Sequence, residues 1–115
     1  MKLPQGDHVD PRQVMDKLLS YSLNFNHDSG KHKARLFQSK LGITIENQQG
    51  LASAICEAAA TSETVQFTGS DQYGDRYVMI FQCVTAMGTS DVLTAWIVRH
   101  GESIPRLTST YPLRS

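Results

Sequence analysis

The stretch RYVMIFQCVT (residues 76–85), followed beyond Ala86-Met87-Gly88 by VLTAWIVR (92–99), decides how this chain folds. Both runs are dense in β-branched and aromatic residues, the composition of strands. Residues 76–85 are apolar on both alternating sets, so a central strand covered on both faces is expected. Ala86-Met87-Gly88 turns the chain, and residues 92–99 return as the neighbouring strand. Further on, His100-Gly101-Glu102 is a second turn, and Arg106 to Tyr111 forms a last strand that Pro112 stops. On the N-terminal side, Ser70 to Asp75 reads as a turn and Thr64 to Thr68 as a short β-prone run.

Upstream of Ser62 the apolar period changes from two to that of a helix. Asp10-Pro11 is a helix start, a carboxylate N-cap followed by proline at the first helical position. Val14, Met15, Leu18 and Leu19 continue it to about Tyr21. Asn24 to Gly30 (NFNHDSG) has loop composition. Lys31 to Leu41 is expected to be a second helix with Ala34, Phe37 and Leu41 as its buried stripe and Gly42 as its end. Thr44 caps a third helix reaching about Ala60, with Leu51, Ile55, Ala58 and Ala59 inward and a kink expected at Gly50. The fold expected is therefore α+β: about three N-terminal helices followed by a roughly four-stranded antiparallel sheet, with residues 1–115 as one domain.

Eleven basic residues balance eleven acidic ones, which argues against broad, non-specific nucleic-acid binding while leaving room for a small basic site. No run of 18 apolar residues exists to span a membrane, and the polar Met1–Asp10 segment lacks the apolar stretch of a secretory signal. Cys56 and Cys83 both sit among apolar neighbours and read as buried free thiols. His8, His27, His32 and His100 show neither HxxxH nor HxE spacing, so no metal site and no cofactor are expected.

Charge is nonetheless uneven. Lys31, His32, Lys33, Arg35 and Lys40 fall within ten residues that contain no acid. The cluster opens a helix, where free backbone N–H groups favour anions. Cleaving RNA without a metal needs a base for the 2′-hydroxyl, an acid for the leaving oxygen and cations near the phosphate. His32 supplies a proton carrier and its neighbours the cations; the plainer reading is a solvated basic helix start. A second candidate is the last strand, where simple alternation places Leu107, Ser109 and Tyr111 on one face and Arg106, Thr108 and Thr110 on the other. Ser109-x-Tyr111 then presents a hydroxyl beside a phenol. Trp96 is either a platform for a base or, more plainly, core.

The segments YSLNFNHDSGKHKARLFQSKLGIT (21–44), DQYGDRYVMIFQ (71–82) and LTAWIVRHGESIPRLTSTY (93–111), entered through LPQGDHVDPRQVMDKLL (3–19), resemble a bacterial domain family of unknown function. Such domains occur as the C-terminal modules of large secreted polymorphic toxins, including contact-dependent growth-inhibition effectors. Their helices-then-sheet order is similar to that of the barnase, EndoU, colicin and RelE nuclease superfamily. EndoU-like members pair histidine and lysine with a Ser/Thr-x-Tyr on a late strand. Carried over, the resemblance implies His32, Lys33, Ser109 and Tyr111 as catalytic residues, with Lys31, Arg35, Trp96, Arg106, Thr108 and Thr110 contacting the substrate. EndoU enzymes use two catalytic histidines. Here either His27 or His100 must be brought in by the fold, or Lys33 or Tyr111 takes the second proton-transfer role.

The function expected is a metal-independent ribonuclease, acting on tRNA in the cytoplasm of a target cell. It would be delivered as the C-terminal part of a larger secreted or cell-surface protein and neutralised by a cognate immunity protein, with a host factor as a further possible partner. The rival expectation is a non-enzymatic, immunity-like or partner-binding module with a basic patch.

Overall fold

The computed structural model describes residues 1–113. Helix α1 (Pro11–Lys17) starts at Asp10, whose carboxylate accepts the Arg12 N–H at 2.9 Å. It runs straight into a π-helical turn, Leu18–Ser22, in which the Leu23 N–H reaches back five residues to the Leu18 carbonyl at 2.8 Å. Helix α2 (Gly30–Leu41) ends at Gly42, which takes the left-handed φ of 67° that a C-terminal glycine permits. Thr44 caps a short 3-10 turn, Ile45–Asn47, that leads into α3 (Gln48–Thr61). The helix begins only at Gln48 and runs without interruption, so Gly50 falls in its first turn and not in its middle.

Strands β1 (Gln66–Asp71), β2 (Gly74–Thr85), β3 (Gly88–Arg99) and β4 (Arg106–Pro112) form one antiparallel sheet in that order. The α+β architecture expected from the sequence is the one observed. β1 lies later than the Thr64–Thr68 run, because the β1–β2 turn needs only Gln72 and Tyr73. Gly74 makes that turn possible: its φ is 155°, and a Cβ there would meet the Val98 carbonyl oxygen at 2.2 Å. Asp71 braces the same turn, accepting the Tyr73 N–H at 2.8 Å and the Arg76 guanidinium at 2.6 Å. The Arg76 bond is the main reason its carboxyl titrates below the ordinary carboxylate range.

One expectation about β2 is corrected. Tyr77, Met79 and Cys83 are buried, but Ile80 is 45% and Val84 69% exposed. The inward residues join Val14, Leu18, Phe37, Leu51 and Ile55 in one core. Nothing among the described residues covers Ile80 and Val84, so β2 is apolar on both sides while packed on one. Cys56 is half-buried and Cys83 buried, both as free thiols, and desolvation is the first cause pushing each thiol up in pKa.

A second correction concerns β4. Ala95 pairs with Ser109 but Trp96 pairs with Leu107, so Thr108 is an extra residue, a β-bulge. The bulge breaks the simple alternation: of the buried positions Leu107, Thr110 and Pro112, the first two are three apart instead of two. Ser109 and Tyr111, both beyond the bulge, keep their common side, but Leu107 does not share it.

Candidate functional site

Helix α2 buries Gly30, Ala34, Phe37 and Leu41. At roughly 100° per residue, Lys33 falls on the flank of this stripe and His32 on the side about 170° away from it. The burial follows: Lys33 is half-buried, while His32 and Arg35 are exposed. Lys31 lies on the other flank, roughly 160° from Lys33 around the axis.

The half-buried lysine is the centre of a cluster. Its ammonium bonds the Tyr21 hydroxyl at 2.5 Å and lies 4.5 Å from the centre of the Tyr21 ring. It also lies 5.7 Å from the centre of the Tyr111 ring. A second ammonium, that of Lys17 at the end of α1, is 5.3 Å from the Tyr21 ring centre. Neither lysine forms a salt bridge among the described residues. The Lys33 ammonium is held at the Tyr21 hydroxyl, close to the plane of that ring, and a nearby ring face can position a cation through its quadrupole without cancelling its charge as a carboxylate would. Such a site remains free to receive an anion.

Tyr21 is the residue that sequence reasoning missed, and His27, considered there only as a second proton carrier, stands beside it as a helix cap. Tyr21 is aimed by the π-helical turn, an irregularity often found at functional positions. Gly30 then fits directly beneath it, since a Cβ at Gly30 would meet the Tyr21 carbonyl oxygen at 2.0 Å. His27 packs edge-on against the Tyr21 ring, with centroids 4.8 Å apart. Its Nδ1 accepts the backbone N–H groups of Ser29 and Gly30, both at 3.0 Å. Its carbonyl accepts the Lys31 N–H at 2.9 Å. The first N–H groups of α2, expected to be free for an anion, are thus taken by His27.

The remaining expected residues divide plainly. Lys33 and Tyr111, 78 positions apart in sequence, are brought together. Ser109 lies two residues before Tyr111 on β4, with its hydroxyl oxygen buried and without a hydrogen-bond partner among the described residues. His32 makes no hydrogen bond or ion pair among the described residues. Trp96 is corrected to core: it is 1% exposed, and its indole N–H donates to Thr94 at 2.8 Å, whose hydroxyl donates in turn to the Met79 carbonyl. Thr110 is fully buried and gives its proton to the Leu93 carbonyl, so it cannot touch a substrate. Thr108 spends its proton on the Ala95 carbonyl at 3.0 Å. Arg106 is held by both oxygens of Glu102, at 3.1 and 3.2 Å. It lies five residues from Tyr111, about 16 Å along an extended strand, and so stands apart from Lys33. His100 is apart as well, its Nε2 lying 3.0 Å from the Asp71 carbonyl at the β1–β2 turn. No three His, Cys, Asp or Glu side chains converge on a metal-binding position among the described residues, and no helix there is long and apolar enough to cross a membrane.

A family described as a domain of unknown function, DUF6883, matches residues 2–114. No curated protein and no solved structure matches the chain.

Proposed function

The chain belongs to the DUF6883 family, and because that description carries no activity, we propose from the site that it is a metal-independent ribonuclease that cuts tRNA. In this reading it is the C-terminal part of a secreted or cell-surface bacterial toxin, acting in the target-cell cytoplasm. The observation that carries the reading is the Lys33 ammonium, fixed between the Tyr21 hydroxyl and the Tyr111 ring with Lys17 nearby and no carboxylate partner among the described residues.

The chemistry is transesterification. The 2′-oxygen of a ribose attacks the adjacent phosphorus, the bond from phosphorus to the 5′-oxygen breaks, and a 2′,3′-cyclic phosphate remains. A base takes the 2′-hydroxyl proton and an acid gives one to the leaving 5′-oxygen. Lys33 stabilises the charge that builds on the phosphorane, with Lys17 as a second cation. Tyr111 stacks on a base beside the scissile phosphate, whereas the Ser109 hydroxyl oxygen is buried and does not reach it. His32, exposed at the rim of α2, carries the proton at one end of the reaction. Lys31 and Arg35 meet the flanking backbone. Trp96, Thr110 and Arg106 have no part in this site.

Such a toxin requires a cognate immunity protein, which would cover the Lys17–Lys33 cluster with acidic residues. Protection of Lys33 from acylation in the complex is its readout, and a Lys33 that stays reactive contradicts occlusion.

The deciding experiment incubates the purified domain with total bacterial RNA in EDTA, with and without cell extract to supply any host factor. Discrete tRNA fragments ending in a 2′,3′-cyclic phosphate are expected. His32→Ala is expected to lower the rate ~10²–10⁴-fold, and Lys33→Ala comparably. A His32→Ala enzyme as active as wild type removes that histidine from the mechanism. Intact RNA under both conditions overturns the enzyme reading. It would favour a partner-binding module, for which the exposed Ile80, Val84 and Met87 of the β2–β3 hairpin supply an apolar surface.

A further inference from the structure

We propose that His27 is the positioning residue of the Lys33 site, and that it holds the site only while its ring is neutral. The inference concerns how the site is held, and its activity arm rests on the ribonuclease reading.

Two backbone N–H groups, those of Ser29 and Gly30, point at one imidazole nitrogen, Nδ1. A backbone N–H can only donate, so Nδ1 must present a lone pair and the ring proton of neutral His27 must sit on Nε2. The imidazolium has no lone pair to offer. Protonation would turn both bonds into donor–donor contacts. It would also place a cation at the N-terminal end of a 12-residue helix, where the helix dipole opposes it.

The charged and titratable neighbours reinforce this. Tyr21 of the π turn is the ring packed on His27, and Lys17 of α1 and Lys33 of α2 both lie near that same ring. Tyr111 of β4 adjoins Lys33. Asp28 follows in the loop and is exposed, while Lys31 and His32 open α2. Among these Asp28 is the single acid, so a charged His27 adds to a positive neighbourhood.

The path from His27 to the lysine is short and mechanical. Gly30 gives one of the two N–H groups, and its α-carbon lies so close to the Tyr21 carbonyl that a Cβ would come within 2.0 Å of it. Release of the cap displaces Gly30, which is wedged against Tyr21, and Tyr21 carries the hydroxyl that fixes Lys33. Loss of His27 from its place also removes the edge-on ring that packs on Tyr21.

The test is amide hydrogen exchange at Ser29 and Gly30, relative to intrinsic rates, measured by NMR while the His27 ring resonance is titrated. In wild type, protection at both amides is expected to fall at least about tenfold as the ring becomes protonated, since two hydrogen bonds are lost together. Asparagine is a favoured capping residue with a non-titrating acceptor, so His27→Asn should keep its protection over the same range, whereas His27→Ala should lack it throughout. Where RNA is cleaved, the rate of His27→Asn divided by that of wild type should rise about tenfold across the His27 titration. This ratio cancels any titration the two enzymes share, His32 included. Unchanged Gly30 protection in wild type while His27 titrates overturns the proposal, as does a flat rate ratio. The exchange measurement needs no RNA, so failure of the ribonuclease reading leaves it decisive.

Discussion

At Lys33 the ammonium is held by the Tyr21 phenolic oxygen and by the Tyr111 ring, whose centre is 5.7 Å away. Each contact is modest: about 0.5–1 kcal/mol for a cation over a partly exposed ring, and about 1 kcal/mol net for the hydrogen bond. Their joint value is positional, because two weak restraints from two directions hold a flexible four-carbon chain where an anion would need it. Tyr21→Phe removes the hydroxyl and leaves the ring. It should lower stability by about 1 kcal/mol, read as a lower urea midpoint at unchanged slope, and slow RNA cleavage by about tenfold or more, because Lys33 loses its fixed end. Full activity in Tyr21→Phe would take that hydroxyl out of the site. Lys33 and Tyr111 were legible in the sequence because basic residues and a late Ser-x-Tyr fit phosphate chemistry. Tyr21 was not, since nothing local distinguishes a tyrosine after two leucines from ordinary helix core. His27 was weighed as a second proton carrier, but its capping role was hidden: capping by a ring nitrogen lacks the Ser, Thr, Asp or Asn signature by which helix starts are recognised.

The regular elements followed their local chemistry closely. Asp10-Pro11, Thr44 and Gly42 act as the start and stop signals their residue types suggest. The irregular ones did not announce themselves. The π turn at Leu18–Ser22 inserts one residue into a helical pattern, and the bulge at Thr108 inserts one into a strand, so in both the apolar spacing shifts by a single position. Those two insertions aim Tyr21 and carry Ser109 and Tyr111 past the core side of β4. The junction between the π turn and α2 depends on Gly30, which lets two backbones approach as closely as a side chain would forbid. Gly30→Ala must push α2 from the Tyr21 carbonyl and should destabilise the domain by about 1–3 kcal/mol, the usual range for overpacking. Its second effect is more diagnostic. The Tyr21–His27 ring contact should loosen, seen as altered ring-current shifts of both side chains. An alanine variant with wild-type stability and unchanged shifts would show that the close approach is dispensable.

Across the molecule, eleven positive and eleven negative charges cancel, so no general field draws RNA to the surface and attraction must be local. Lys17 and Lys33 form the inner pair at the cluster, while Lys31 and Arg35 stand on other sides of α2. A single strand seated at Lys33 therefore meets between two and four cations, according to how far it wraps the helix. Each neutralised phosphate releases condensed counterions, giving a slope of log affinity against log salt of about −0.7 per contact for single strands. Binding of an RNA blocked by 2′-deoxyribose at the cleavage position should then show a slope between about −1.4 and −2.8. Lys33→Gln should reduce that slope by about 0.7, with little dependence on sequence, since a lysine on a phosphate reads charge and not bases. A slope far steeper would place RNA on a wider surface than α2 offers. A slope that Lys33→Gln leaves untouched would mean that the lysine between the tyrosines does not meet the phosphate. The cluster would then be a structural clasp joining α1, α2 and β4, a role its geometry also fits, and the salt dependence is the quantity that separates the two.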